Sequence, residues 1–146
     1  MKKITALTAA AVMALTLTAC GEMETETNIE TEKYTQQDVE DTTNELLGTM
    51  YEVGVDVDRI NYFGDDLCND EAIETMKEIE LIPQDSEAKD CIGYMVDYHY
   101  SRSPGSMVRN YLAGTYEPGE FCDIQVWYIK NEEGRWERVS IGNEII

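Results

Sequence analysis

The chain has 146 residues, with 30 Asp and Glu against 11 Lys and Arg, which gives a formal net charge of −19. So few cations argue against nucleic acid as a partner, because neutralising phosphates supplies most of the affinity of proteins for nucleic acids. The length and the 42% of hydrophobic residues predict one folded domain with a core of its own, rather than a disordered acidic chain.

The first twenty residues have the pattern of an export signal. Lys2 and Lys3 precede an uncharged run from Ile4 to Ala19. As a helix, this run would rise only about 24 Å, which is short for a permanent membrane span and typical of a secretory signal.

The end of this run, Leu17-Thr18-Ala19-Cys20, resembles the lipobox of bacterial lipoproteins, in which Leu stands three residues before an obligatory Cys and small residues lie between them. The resemblance implies cleavage before Cys20, a diacylglycerol thioether on its sulfur, and often acylation of the new N-terminus. Two or three acyl chains, at about 0.8 kcal/mol per buried methylene, anchor a protein stably. We therefore expect a lipoprotein on the extracytoplasmic face of the cell membrane, attached to the lipid bilayer through acyl chains on Cys20. An uncleaved helix and an ordinary secretory signal are the alternatives.

An acidic segment follows Cys20. Residues 21–32 read GEMETETNIETE and contain no positive charge. Such a segment cannot bury enough apolar area to offset its ordering entropy, so we predict a lipidated, solvated tether over residues 20–34, between a signal peptide at 1–19 and a folded domain at 35–146. Removal of the signal leaves 9 basic and 30 acidic residues, a net charge of −21. An anionic leaflet repels such a chain, which leaves attachment to the lipid.

Two amphipathic helices are predicted at the start of the domain. Thr35 and Asp38 resemble a capping box, which starts a helix over residues 36–53 that Gly54 ends. Asn69 or Asp70 caps a second helix, which ends before Pro83. Apolar residues recur at helical spacing in both segments: Val39, Leu46, Leu47, Met50 and Tyr51 in the first, and Ile73, Met76 and Ile79 in the second.

From Cys91 onward the hydrophobic period changes from 3.6 to 2, which predicts strands. Four strands are predicted to begin at residues 91, 107, 121 and 135, separated by Pro- or Gly-containing turns. Short turns favour an antiparallel meander. We therefore expect an α+β domain in which two N-terminal helices pack on a curved four-stranded antiparallel sheet.

The last predicted hairpin, residues 126–139, places Trp136 directly after the turn that contains Gly134. A helix pair followed by a curved sheet with such a hairpin resembles small NTF2-like or cystatin-like bacterial lipoproteins. The resemblance implies a cone-shaped fold whose concave sheet face encloses a pocket, in a superfold with many non-catalytic members. Fold analogy alone assigns no function.

Three cysteines remain once Cys20 is lipidated. In a meander, Cys91 and Cys122 begin the first and third strands, about 10 Å apart and beyond the reach of a disulfide. This favours Cys68 as one partner, with Cys91 preferred to Cys122. Three reduced, buried thiols are the alternative. There is no CxxC spacing, so neither a zinc site nor a thioredoxin-like site is indicated.

A catalytic thiol would have to use His99, the only histidine. The conceivable arrangement is Cys122 with His99 and Asp97, which competes with the simpler interpretation of His99 as a surface residue.

A calcium site is the other candidate chemistry. Asp56, Asp58 and Asn61 lie in an acidic stretch, but Ile60 stands where an EF-hand needs its third oxygen ligand, and Asn61 stands where it needs Gly. The motif is absent, and we predict no metal and no cofactor.

Aromatic residues of the predicted sheet could line a ligand pocket, since amphipathic rings suit sugars, peptides and partner surfaces. The candidates are Tyr98, Tyr100, Tyr111 and Trp127. Cross-strand pairing in the core is the alternative. The predicted function is a membrane-anchored, non-catalytic binding or interaction domain with an unknown protein or small-molecule partner. A thiol enzyme or hydrolase, and a structural envelope component without a ligand, are the alternatives.

Overall fold

The computed structural model describes residues 11–13, 25–101, 121–142 and 145. The elements, in chain order, are β1 Ala11–Met13, β2 Glu26–Thr31, α1 Gln36–Glu52, β3 Val55–Tyr62, α2 Asp70–Glu78, β4 Cys91–Tyr100, β5 Phe121–Lys130 and β6 Trp136–Ile141. Strands β2 to β6 form one sheet in chain order, and β1 pairs with the outer edge of β2.

The sheet is mixed. Strands β2 and β3 are parallel, and the other neighbouring pairs are antiparallel. A parallel pair needs a crossover connection, which here is α1. The α+β class is confirmed, but the predicted antiparallel four-stranded sheet with two N-terminal helices is wrong, because β2 precedes α1 and β3 separates α1 from α2.

Strand β2 lies within the segment predicted to be a solvated tether. Thr25, Ile29 and Thr31 are buried, whereas Glu26 and Glu30 are exposed. The segment therefore alternates with a period of two, and the hydroxyl of Thr25 donates to the carbonyl of Val57 at 2.9 Å. Acidic composition hid this strand, because the pairing is supplied by the main chain and every inward position is small or β-branched. The tether prediction is wrong for residues 26–31.

Strand β3 runs through the acidic stretch that contains Asp56, Asp58 and Asn61. Val55, Val57 and Ile60 are buried on it, and the pairing with β4 shifts between Val57 and Arg59. This shift is a β-bulge at Asp58, which inserts one residue and interrupts the alternation.

Helix α1 begins as predicted. Thr35 and Asp38 form a capping box, and Val39, Leu46 and Met50 are buried against the sheet. Tyr51 does not belong to this face, since its exposed fraction is 70%. The second helix has Asn69 as its N-cap and ends at Glu78, earlier than predicted.

A continuous layer of aromatic rings helps to fill the core. Successive ring centroids lie 5.7 to 6.3 Å apart, mostly edge to face, which is a favourable geometry for aromatic pairs. Their polar ends reach α1: Tyr94 shares a hydrogen bond of 2.7 Å with Thr42, and Tyr128 donates to Glu45 at 2.6 Å. The rings in sequence are Trp136, Tyr34, Tyr62, Tyr94 and Tyr128.

Strands β4 and β5 pair directly with each other, with Cys91 opposite Ile129 and Tyr98 opposite Cys122. The predicted strand at 107–116 and the two turns that flank it lie outside the described residues. The hairpin of β5 and β6 is confirmed, with Gly134 at a positive φ of 76° in its turn.

Gly93 in β4 permits a close approach of two rings. Phe63 and Trp127 are stacked with centroids 5.1 Å apart, and Trp127 is fully buried. A Cβ at residue 93 would lie 2.6 Å from the Trp127 ring and 2.7 Å from Phe63. Only glycine fits between these rings without displacing them.

We therefore predict that Gly93→Ala lowers the free energy of unfolding by about 2 kcal/mol, the usual cost of overpacking a core. Urea denaturation of the two proteins measures this difference. Gly48→Ala is the matched control, because a Cβ added at this position of α1 would meet no other group within 4 Å. The control should gain about 0.5–1 kcal/mol. Equal stability of Gly93→Ala and the unmutated protein would show that the rings do not pack in this way.

Candidate functional site

A concave site with a volume of about 630 Å³ lies between the end of β2 and the turn after β3. We call it the acidic groove. One wall is formed by residues 30–32 and the other by residues 63–67, and its four charged lining residues are all acidic: Glu30, Glu32, Asp65 and Asp66. Ligand pockets typically have volumes of about 300–1,000 Å³, so the groove is large enough for a small molecule or a few residues of a peptide.

Asp65 connects the two walls. Its carboxylate accepts hydrogen bonds from the hydroxyls of Thr31 at 2.6 Å and Tyr62 at 2.9 Å, and from the backbone N–H of Glu32 at 2.9 Å. Burial acts to raise the pKa of Asp65, but these donors outweigh it and hold the pKa below its ordinary value. The charged carboxylate of Asp65 thus links β2 to the turn that follows β3 through hydrogen bonds.

The groove also has apolar surface. Phe63 is one of its lining residues, and its ring is held by the stack on Trp127. Leu67 also lines it and has an exposed fraction of 45%. A ligand that combined positive charge with an apolar side chain would find both kinds of partner here.

The cation that follows Glu32 in sequence is engaged elsewhere. Lys33 donates to the carbonyl of Cys68 at 2.7 Å and lies 3.5 Å from Asp90. None of the described residues that line the groove is basic. Its net charge is therefore negative.

A second, smaller concave site, of about 320 Å³, lies beside the turn between β5 and β6. Its lining mixes acidic residues with Lys89 and Lys130. Because Lys130 is already bound to Asp38 at 2.9 Å, this site offers a weaker field to a charged ligand than the acidic groove does.

The aromatic pocket expected from the sequence is not assembled. Tyr98 and Tyr100 share one face of β4, with centroids 6.0 Å apart. Trp127 pairs with Gly93 and therefore points to the opposite face of the sheet, where it is fully buried. Tyr111 lies outside the described residues.

The catalytic thiol arrangement is not assembled either. Cys122 pairs with Tyr98, while His99 is the next residue along β4, so the Cys122 and His99 side chains lie on opposite faces. His99 instead contacts two carboxylates of β3. Its Nδ1 lies 2.9 Å from Asp58, and its Nε2 lies 3.5 Å from Asp56. Sequence reasoning missed this cluster because the bulge at Asp58 is what brings a second carboxylate to the histidine.

The expected cysteine partners, Cys68 and Cys91, are both fully buried, and both are free thiols in the structure. Burial, followed by the neighbouring Cys68, raises the pKa of Cys91 to about 12. Burial also raises the pKa of Cys68. Cys91 and Cys122 lie far apart along adjacent strands, because Tyr98, the partner of Cys122, is seven positions along β4 from Cys91, or about 24 Å.

No group of three or more metal-binding side chains occurs among the residues that the structure describes. Within the same ranges, no helix is long and apolar enough to span a membrane. No protein family, no curated protein and no solved structure matches this chain.

Asp65 provides a test of this geometry. Replacing it by Asn removes the charge that three donors share, so we expect Asp65→Asn to lower the free energy of unfolding at pH 7 by about 1–2 kcal/mol. A carboxyl group whose pKa is depressed by folding contributes stability above its unfolded pKa and loses that contribution as the pH falls. The difference between the two proteins should therefore shrink below about pH 4.

Thermal unfolding between pH 2 and pH 7 measures this difference. Asp66→Asn is the control, because Asp66 is exposed and should change stability by less than about 0.5 kcal/mol. A loss that was equal for both variants, or independent of pH, would contradict the role given to Asp65.

Proposed function

We propose that this protein is a lipoprotein anchored through acyl chains on Cys20 at the extracytoplasmic face of the cell membrane, and that its α+β domain is a non-catalytic binding module. The single observation that carries the anchoring is Leu17-Thr18-Ala19-Cys20, which has the lipobox residue type at every position after a basic start and an apolar run. Lipid must supply the attachment, because the mature chain would carry a net charge of −21.

The fold limits the distance between the proposed lipid anchor and the domain. Thr25 is already buried and bonded to Val57, only five residues after Cys20. Five extended residues span at most about 18 Å. In the proposed mature protein the domain is therefore held against the bilayer surface rather than at the end of a long spacer.

The acidic groove is the surface that we propose for binding. It has the size of a ligand site and two apolar lining residues, and the charged groups among its described lining residues are all carboxylates. A cationic segment of a protein partner, with an apolar side chain for Phe63 and Leu67, fits this chemistry best. The thiol-enzyme alternative has lost its support, because the described residues place Cys122 and His99 on opposite faces.

The anchoring proposal predicts that Cys20→Ser abolishes lipid attachment. Cells that express the full chain and are fed a labelled fatty acid should label the unmutated protein and not the variant. Cys122→Ser is the matched control, since it removes a cysteine of the domain and should leave labelling unchanged. Fatty acid recovered on Cys20→Ser would refute the anchor.

The binding proposal predicts that the groove attracts a cationic probe. Pentalysine is a suitable probe, and its binding by calorimetry should weaken several-fold in the double variant Glu30→Gln with Glu32→Gln. Binding should also weaken with added salt, which screens the attraction.

The matched control is Glu78→Gln with Glu80→Gln, at the end of α2 and in the turn that follows it, where both side chains are exposed. It changes the net charge of the chain by the same amount. If both double variants lose the same affinity, the probe senses only the overall charge and the groove is not its site.

A further inference from the structure

Two buried cysteines, Cys68 and Cys91, lie beside the acidic groove, and the sulfur of each forms a hydrogen bond with the backbone near the other. Cys68 lies directly after the groove wall, and Cys91 is the first residue of β4. The sulfur of Cys68 accepts a hydrogen bond from the N–H of Gly93 at 3.3 Å, and the sulfur of Cys91 donates to the carbonyl of Asn69 at 3.6 Å. Each sulfur therefore touches the chain one or two residues from the other cysteine.

The backbone around both sulfurs is held in place. The carbonyl of Cys68 accepts from Lys33 at 2.7 Å, and its N–H donates to Gly64 at 3.1 Å. The carbonyl of Cys91 accepts from the hydroxyl of Tyr34 at 2.6 Å. In the folded domain these bonds hold the backbones of both cysteines in place.

We propose that Cys68 and Cys91 form a disulfide bond in the exported protein. The proposal rests on the proposed function for its compartment, since disulfides persist outside the cytoplasm and are rare inside it. The oxidant is a small or protein disulfide. One cysteine thiolate attacks it, forming a mixed disulfide and releasing one thiolate. The second cysteine then attacks the protein sulfur and releases the other. Two electrons pass to the oxidant, which becomes two thiols, and the two cysteines lose their protons.

Burial determines when this reaction takes place. Both thiols are inaccessible in the folded domain, and thiolates are scarce there because their pKa values are raised. Oxidation therefore precedes closure of the core, during folding after export. Once formed, the bond is sealed from external reductants for the same reason.

The bond would fasten the wall of the acidic groove. Residues 64–68 form the turn between β3 and the cap of α2, and Cys68 is its last residue. A covalent link to β4 would fix this turn to the centre of the sheet. In a reduced protein the turn is held by noncovalent contacts alone, among them the hydrogen bonds of Cys68 and Asp65.

The test counts thiols in the full chain that carries Cys20→Ser, refolded from urea in a buffer of oxidised and reduced glutathione. Alkylation in denaturant followed by mass spectrometry should find one free thiol, on Cys122, and a peptide that joins Cys68 to Cys91. Three alkylated cysteines, or a bond that includes Cys122, would overturn the proposal. This outcome does not depend on export, so it is distinguishable from the fatty-acid test of the anchor.

Variants sharpen the test. Cys122→Ser should show no free thiol under the same conditions, and Cys68→Ser should show two. If Cys68→Ser does not fold, the peptide map of the unmutated pair still decides. The oxidised protein should also melt about 10 °C higher than protein refolded with a reductant, the expected effect of closing a loop of this length.

Discussion

Helix α1 must stay on the sheet for the parallel pairing of β2 with β3 to exist, because it is the connection between them. Polar side chains fix it there. Asp38 accepts from Lys130 at 2.9 Å and from Trp136 at 2.8 Å, while Thr42 meets the hydroxyl of Tyr94 within the core. Burial acts to raise the pKa of Asp38, but its donors hold it well below the ordinary value, so it stays charged while bound. The acidic groove follows from this docking, since β2 supplies one of its walls.

The extent to which sequence predicts this structure differs between elements for identifiable reasons. The cap of α1 and the turn at Gly134 depend on local side-chain chemistry, which adjacent residues display directly. Strand β2 depends on main-chain pairing with a distant strand, and its exposed Glu side chains conceal a buried alternation of Thr and Ile. Strand β3 is hard to recognise in the sequence, because the bulge at Asp58 interrupts its alternation of buried and exposed residues.

The candidate site was less predictable than the fold, because it combines residues from separate elements. In the sequence, nothing distinguishes Asp65 from the other acidic residues. The pairing of β2 with β3 is what places Thr31 and Glu32 against it. The aromatic pocket predicted from the sequence was difficult to judge for a related reason. The alternation that puts Tyr98 and Tyr100 on one face of β4 is evident in the sequence. Whether Trp127 shares that face depends on the register between strands, which no local pattern specifies.

The strand β1 has a consequence for the outer edge of the sheet. Cleavage before Cys20 would detach Ala11–Met13 and leave β2 as an uncovered border in the mature protein. Such borders tend to pair with identical borders, and anchored proteins meet one another often because they share a surface. Glu26 and Glu30 are exposed along β2, and Arg59 lies 3.1 Å from Glu26. Two copies aligned edge to edge would bring four carboxylates together, and Arg59 of each copy would offset only one of them. In the proposed lipid-anchored protein, the acidity of this segment would thus oppose self-association of copies that share one membrane surface.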